Sequence, residues 1–125
     1  MKNILWVDDD LMIEKMVLMY KKKFNVSDVN LIFVHDGNQA LDIMKEQSFD
    51  IVLLDLNMPV CSGYEFLKRL DHSQLPKSTE IIICSSSSAN EDISATKKYG
   101  VNEYITKPFD ISKLFERISV NKDFS

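Results

Sequence analysis

Acidic residues stand where apolar runs stop. Ile4-Leu5-Trp6-Val7 runs into Asp8-Asp9-Asp10, and Ile51-Val52-Leu53-Leu54 runs into Asp55-Leu56-Asn57-Met58-Pro59. Ile81-Ile82-Ile83-Cys84 ends in Ser85, and Glu103-Tyr104-Ile105-Thr106 ends in Lys107-Pro108. Carboxylates at the carboxyl ends of buried strands lie at the mouth of an α/β sheet, where open sheets place their ligands. Asp10 suits a helix cap, which leaves Asp8 and Asp9 as a repelling pair that calls for a cation. Mg²⁺ suits such a pair, because it takes one or two carboxylates, keeps several waters and completes its shell with phosphate oxygen. Asp55 is then the candidate nucleophile, since carboxylates form acyl-phosphate intermediates. Lys107 can pair with the carboxylates and later hold a phosphate oxygen as a point charge. Each residue also has a plainer reading. Asp55 could simply start a turn before Pro59, Ser85–Ser88 could be a polar loop, and the aspartates could be a surface charge cluster.

These residues need a scaffold that brings several strand ends together. Short apolar runs at Ile4–Val7, Asn30–Val34, Ile51–Leu54, Glu80–Cys84 and Glu103–Ile105 suit parallel strands buried on both faces. Between them lie stripes at helical spacing: Ile13, Val17, Tyr20 and Phe24, then Phe66, Leu67 and Leu70, then Ile111, Leu114, Phe115 and Ile118. Ser62 with Glu65 and Ser88 with Glu91 have capping-box spacing, Asp36 with Gln39 resembles it, and Asp110 can cap the last helix. Gly100 suits a left-handed stop for the fourth helix, which carries few apolar residues and should bury little. Five strand–helix pairs predict a three-layer α/β sandwich with right-handed crossovers.

At 125 residues the chain is expected to be a single domain, with residues 119–125 as a frayed tail. Hydrophobic content of 45% and charged content of 27% are those of a water-soluble globular protein. A net charge of −4 argues against direct binding to nucleic acid. No apolar run approaches the roughly 20 residues of a membrane span, and Met1-Lys2-Asn3 leading straight into a strand predicts no signal peptide. Cys61 and Cys84 lack metal-ligand spacing and read as free thiols of a reducing cytoplasm.

Taken in order, the residues resemble the receiver domain of two-component response regulators from Ile4 to about Ile118. The motifs are the acidic pair after the first strand, D-x-N-M-P at the third, a hydroxyl at the fourth, and the aromatic followed by K-P-F at the fifth. Gly63 falls where the family has its glycine after the phosphorylation loop. The resemblance implies the strand order 2-1-3-4-5 with five helices. It also implies that Asp55 accepts a phosphoryl group from the phosphohistidine of a sensor kinase or a phosphotransfer protein. Mg²⁺, or Mn²⁺ in its place, would be held by Asp9 and Asp55, the Asn57 carbonyl and, through water, Asp8. Lys107 would contact the phosphate, Ser85 would hydrogen-bond it, and Tyr104 would turn inward as the switch aromatic. The surface of the fourth helix, fifth strand and fifth helix would then bind a downstream protein or a second copy. The domain would assist its own phosphorylation and dephosphorylation without turning over a separate substrate. Serine rather than the commoner threonine at position 85 keeps the hydroxyl.

Two other readings compete. A phosphatase using an aspartate of the first strand has D-x-D in Asp8-Asp9-Asp10, but Met12 stands where that pattern wants Thr or Val. A receiver fold used as a passive binding module would usually have lost part of the acid, lysine and hydroxyl set.

Overall fold

The computed structural model describes residues 2–58, 60–71, 75–76, 78–86 and 90–118, with the side chains of residues 90–92 and 95 left out. The readings placed on Pro59, Ser87, Ser88 and the 119–125 tail lie outside the described residues. Strands and helices alternate as β1 (Lys2–Val7), α1 (Leu11–Lys23), β2 (Val29–Val34), α2 (Gly37–Glu46), β3 (Ile51–Leu54), α3 (Gly63–Arg69), β4 (Glu80–Ser85), α4 (Asn90–Lys97), β5 (Glu103–Thr106) and α5 (Ile111–Ile118). The sheet order is β2-β1-β3-β4-β5, every ladder is parallel, and the order is the expected one.

The central strand explains why its sequence is apolar without alternation. Ile51, Val52, Leu53 and Leu54 are all fully buried, because helices cover both faces of the sheet. Leu5, Val52, Leu54, Phe66 and Leu67 pack on the α2–α3 side, whereas Ile4, Leu53, Val17, Leu114 and Phe115 pack on the α1–α5 side. Each such aliphatic side chain contributes about 1.5–3 kcal/mol by leaving water.

Caps fix where the helices start. The side chains of Asp10, Asp36 and Ser62 accept from the backbone amides of Met12, Gln39 and Glu65 at 2.9, 3.0 and 3.2 Å. Asp110 does the same for Ser112 at 2.9 Å. The Gln39 side chain bonds back to the amide of His35 at 2.9 Å, one residue before the cap. Gly100 has the left-handed φ of 78° expected of it.

Phe24 departs from its expected place on the α1 stripe. It caps the helix C-terminus, is 57% exposed, and lays its ring on Tyr20. The reason is a stop that the stripe alone does not reveal. Asn25 takes φ 50°, and the amides of Asn25 and Val26 turn back to the carbonyls of Lys22 and Lys21. Thr96 is the buried side chain among those described on α4, consistent with a helix that buries little. Arg117, which no local pattern singles out, ties α5 to Glu80 of β4 and Glu103 of β5.

Candidate functional site

Strand pairing delivers the acids to one edge. The Asp8 amide donates to Val34 O at 3.1 Å and the Asp55 amide to Val7 O at 2.9 Å, so both residues continue their ladders by one step. Carboxylate oxygens of Asp8, Asp9 and Asp55 all lie within 4.8 Å of one another. Asp8 and Asp55 are buried, at 5% and 6% exposure, while Asp9 faces solvent.

Lys107 closes the cluster from β5. Its Nζ donates to Asp8 Oδ2 at 2.7 Å and to Asp55 Oδ2 at 3.3 Å. The Lys107 amide donates to Ser85 O at 2.8 Å, which holds the lysine backbone beside the end of β4. The following Lys107–Pro108 peptide is cis, as the turn after a strand allowed. Three carboxylates against one ammonium leave this group of four with two negative charges in excess. Burial pushes the Asp8 carboxyl above its ordinary value, and the hydrogen bond from Lys107 only partly offsets that. Burial also works against the Lys107 ammonium, but its bonds to Asp8 and Asp55 outweigh it and hold the lysine above its ordinary value. Such a site is short of positive charge, and its hard oxygen donors fit a divalent cation of the Mg²⁺ type.

The loop after β3 adds the remaining groups. Asp55 Oδ1 accepts from the Asn57 amide at 3.1 Å, so Asp55 both starts a turn and keeps its other oxygen at the cluster. Asn57 Nδ2 donates to Ser85 Oγ at 3.3 Å, which links the loop to the fully buried hydroxyl of β4. Tyr104 lies half-buried on β5, in register with Ile83, and packs against the core on the α2–α3 side. The structure therefore gathers Asp8, Asp9, Asp55, Asn57, Ser85 and Lys107 at one sheet mouth, with Tyr104 on the adjoining edge strand.

Two glycines set the loop, and only one was singled out from the sequence. A Cβ on Gly63 would stand 2.4 Å from Asp55 O and 2.8 Å from Leu56 Cα. The Gly63 amide donates to Leu56 O at 3.1 Å, so the first turn of α3 sits directly on the Asp55–Leu56 backbone. Gly37 does the same on the far side of the loop: its Cβ would meet Cys61 Sγ at 2.5 Å, and its amide donates to Cys61 O at 3.1 Å. Nothing local marks Gly37, which looks like an ordinary first residue of a helix. The Asn57–Ser85 link was equally hidden, because the two residues are 28 positions apart.

A family model described as the response regulator receiver domain matches residues 4–119. The cell cycle response regulator CtrA of Brucella ovis is 37% identical over 119 residues, which cover 94% of this chain and 48% of that protein. The chain thus spans about half the length of the curated relatives it matches. The chemotaxis response regulator CheY4 of Vibrio cholerae is 28% identical, with TM-score 0.79 and 94% and 95% of the two chains covered. The BeF3-activated DrrB receiver domain of Thermotoga maritima is 28% identical, with TM-score 0.76 and 94% of each chain covered.

Proposed function

This chain belongs to the family of response regulator receiver domains, and we propose that it is the phosphoacceptor of a two-component signalling system, with Asp55 as the residue that takes the phosphoryl group. The observation that carries this reading is the shared ion pair, in which one ammonium, Lys107 Nζ, holds both Asp8 and Asp55. A lysine so placed can pass from a carboxylate to a new phosphoryl oxygen with little movement.

Asp55 attacks the phosphorus of a phosphohistidine, the N–P bond breaks, and an O–P bond forms at the carboxylate. The displaced imidazole nitrogen keeps the electron pair and takes up a proton. Asp55 Oδ2 is already held by Lys107, and Oδ1 is fixed by the Asn57 amide. Asp8, Asp9, Asp55 and the Asn57 carbonyl would hold Mg²⁺, or Mn²⁺ in its place. So held, the ion would neutralise charge on the transferring oxygens. Lys107 and the Ser85 hydroxyl then hold the phosphoryl oxygens.

The output follows from what that phosphate attracts. It brings about −1.5 to −2 charges and three strong acceptors to a buried hydroxyl. Drawing Ser85 toward it loosens the bond from Asn57 and frees space beside β5, into which Tyr104 turns. The face of α4, β5 and α5 is thereby biased between two states that bind a downstream protein, or a second copy, unequally. The phosphodonor is a sensor histidine kinase or a histidine phosphotransfer protein. The domain is a signalling switch that assists its own phosphorylation and dephosphorylation.

Beryllofluoride, an unreactive stand-in for the phosphoryl group, provides the test. With Mg²⁺ it should shift the amide resonances of Asp55, Ser85, Tyr104 and Lys107, and change the fluorescence of Trp6. Trp6 lies on β1 beside Phe109, just after Lys107-Pro108, with ring centroids 6.1 Å apart. No change in either signal at millimolar Mg²⁺ would instead favour a passive binding module.

A further inference from the structure

Among the described residues, one broad face of α1 is left uncovered. Leu11, Lys15, Leu18 and Lys22 are spaced i, i+4, i+7, i+11 and so share a row along the helix. Met12, Met16, Met19 and Lys23 form the next row at the same spacing. All eight side chains are exposed, Met19 at 70%. Phe24 extends the face at the helix end, with Lys23 Nζ 5.4 Å from its ring centroid.

Charge on this face has one sign. From Lys15 to Lys23 there are four lysines and no aspartate or glutamate, although the whole chain carries −4. Glu14, the acid of α1, lies off both rows, 3.7 Å from His35.

The mixture of lysine with apolar residues decides what the face fits. Protein–protein interface cores favour aromatic residues and arginine and are depleted in lysine. Lys15 stands between Leu11 and Leu18 in its row, so a protein partner would have to bury an ammonium among apolar contacts. A lipid surface accepts both kinds of residue. Leucine and methionine enter the acyl boundary, while lysine stems lie along it and raise their ammonium groups to anionic headgroups. Each lysine near such a surface strengthens binding about fivefold, over a range of roughly 8 Å at physiological salt. No helix among the described residues is long and apolar enough to cross a membrane, so the contact runs along the surface. We propose that this outer face of α1 is a peripheral binding site for an anionic membrane surface. Such binding is independent of what Asp55 does.

The experiment sediments the full chain with vesicles of two compositions: pure phosphatidylcholine, and phosphatidylcholine mixed equally with phosphatidylglycerol. The chain should pellet with the anionic vesicles, pellet less as salt rises, and stay in solution with the neutral ones. K15Q/K22Q/K23Q should bind the anionic vesicles about a hundredfold more weakly. M12Q/L18Q/M19Q should bind them at least about tenfold more weakly. Glutamine keeps the helix propensity of these exposed positions, so both variants should melt as wild type does. The control K45Q/K68Q/K97Q removes the same charge from exposed lysines elsewhere and should bind as wild type does. No pelleting of wild type with anionic vesicles would overturn the proposal. An equal loss in the control variant would also overturn it, by reducing the effect to net charge. So would vesicle binding that M12Q/L18Q/M19Q leaves unchanged, which would make the face a patch for soluble polyanions such as nucleic acid.

Discussion

Lys107 and Asp8 are 99 positions apart in the chain, yet the lysine Nζ sits 2.7 Å from the aspartate Oδ2. This bond joins the last strand of the sheet to its first step beyond β1 and crosses the mouth where Asp55 waits. It is the point at which fold stability and site chemistry meet.

Replacing the lysine should expose that coupling. Lys107→Met leaves two buried carboxylates facing each other, and breaking a buried pair on one side costs about 3 kcal/mol. The sign with pH follows from Asp8. Its carboxyl is already raised by burial, so its contribution to stability is present below the unfolded value and is lost as pH rises through the folded one. Without Lys107 the folded value rises further and the loss at neutral pH grows. Urea denaturation should therefore show a large deficit for Lys107→Met at pH 7 and a much smaller one near pH 4. Equal deficits at the two pH values would mean the lysine contributes packing alone.

In the wild-type chain the lysine itself sets an alkaline limit. Lys107 is held above the ordinary lysine value of about 10.4, so the stability it adds is complete below that pH. That stability is lost as pH rises through the folded value. Lys107→Met should lack this part of the alkaline decline, as denaturation at pH 9 and pH 11 would reveal.

Divalent cation should stabilise the fold. Mg²⁺ at ten times its dissociation constant would add about 1.4 kcal/mol. Asp9 is exposed and is neither hydrogen-bonded to Lys107 nor needed for packing, so Asp9→Asn should keep the metal-free melting temperature and lose most of the Mg²⁺-dependent rise. A melting curve with and without 10 mM MgCl₂ would decide it. A full Mg²⁺ response in Asp9→Asn removes that residue from the metal shell.

The two loop glycines should differ in how they can be rescued. Gly63→Ala drives a methyl against backbone, 2.4 Å from Asp55 O, and should cost about 2–3 kcal/mol while slowing phosphorylation by acetyl phosphate. In Gly37→Ala the nearest obstacle is Cys61 Sγ at 2.5 Å, so adding Cys61→Ala should recover part of the lost stability. Thermal melts of the three variants test this. No recovery in the double variant would locate the strain at the Cys61 carbonyl, 3.0 Å away.

The strands and the acids are legible in the sequence for the same reason. A strand buried on both faces must be apolar throughout, so Ile51–Leu54 announces itself, and the first charged residue beyond it marks the mouth. Caps were legible because Asp36 and Ser62 act on amides three residues away. What stayed hidden depends on distant partners. Gly37 is fixed by Cys61, Ser85 by Asn57, and Arg117 by Glu80 and Glu103, contacts that no local pattern encodes. The α1 stripe failed at Phe24 because the helix stop rests on one left-handed residue, Asn25, within an otherwise helical pattern.

Whether Asp55 takes the phosphoryl group is decided by intact mass after incubation with acetyl phosphate and Mg²⁺. Wild type should gain one phosphoryl group, Asp55→Asn should gain none, and omitting Mg²⁺ should suppress the gain. An adduct that persists in Asp55→Asn but disappears in Asp8→Asn would move the nucleophile to the first strand.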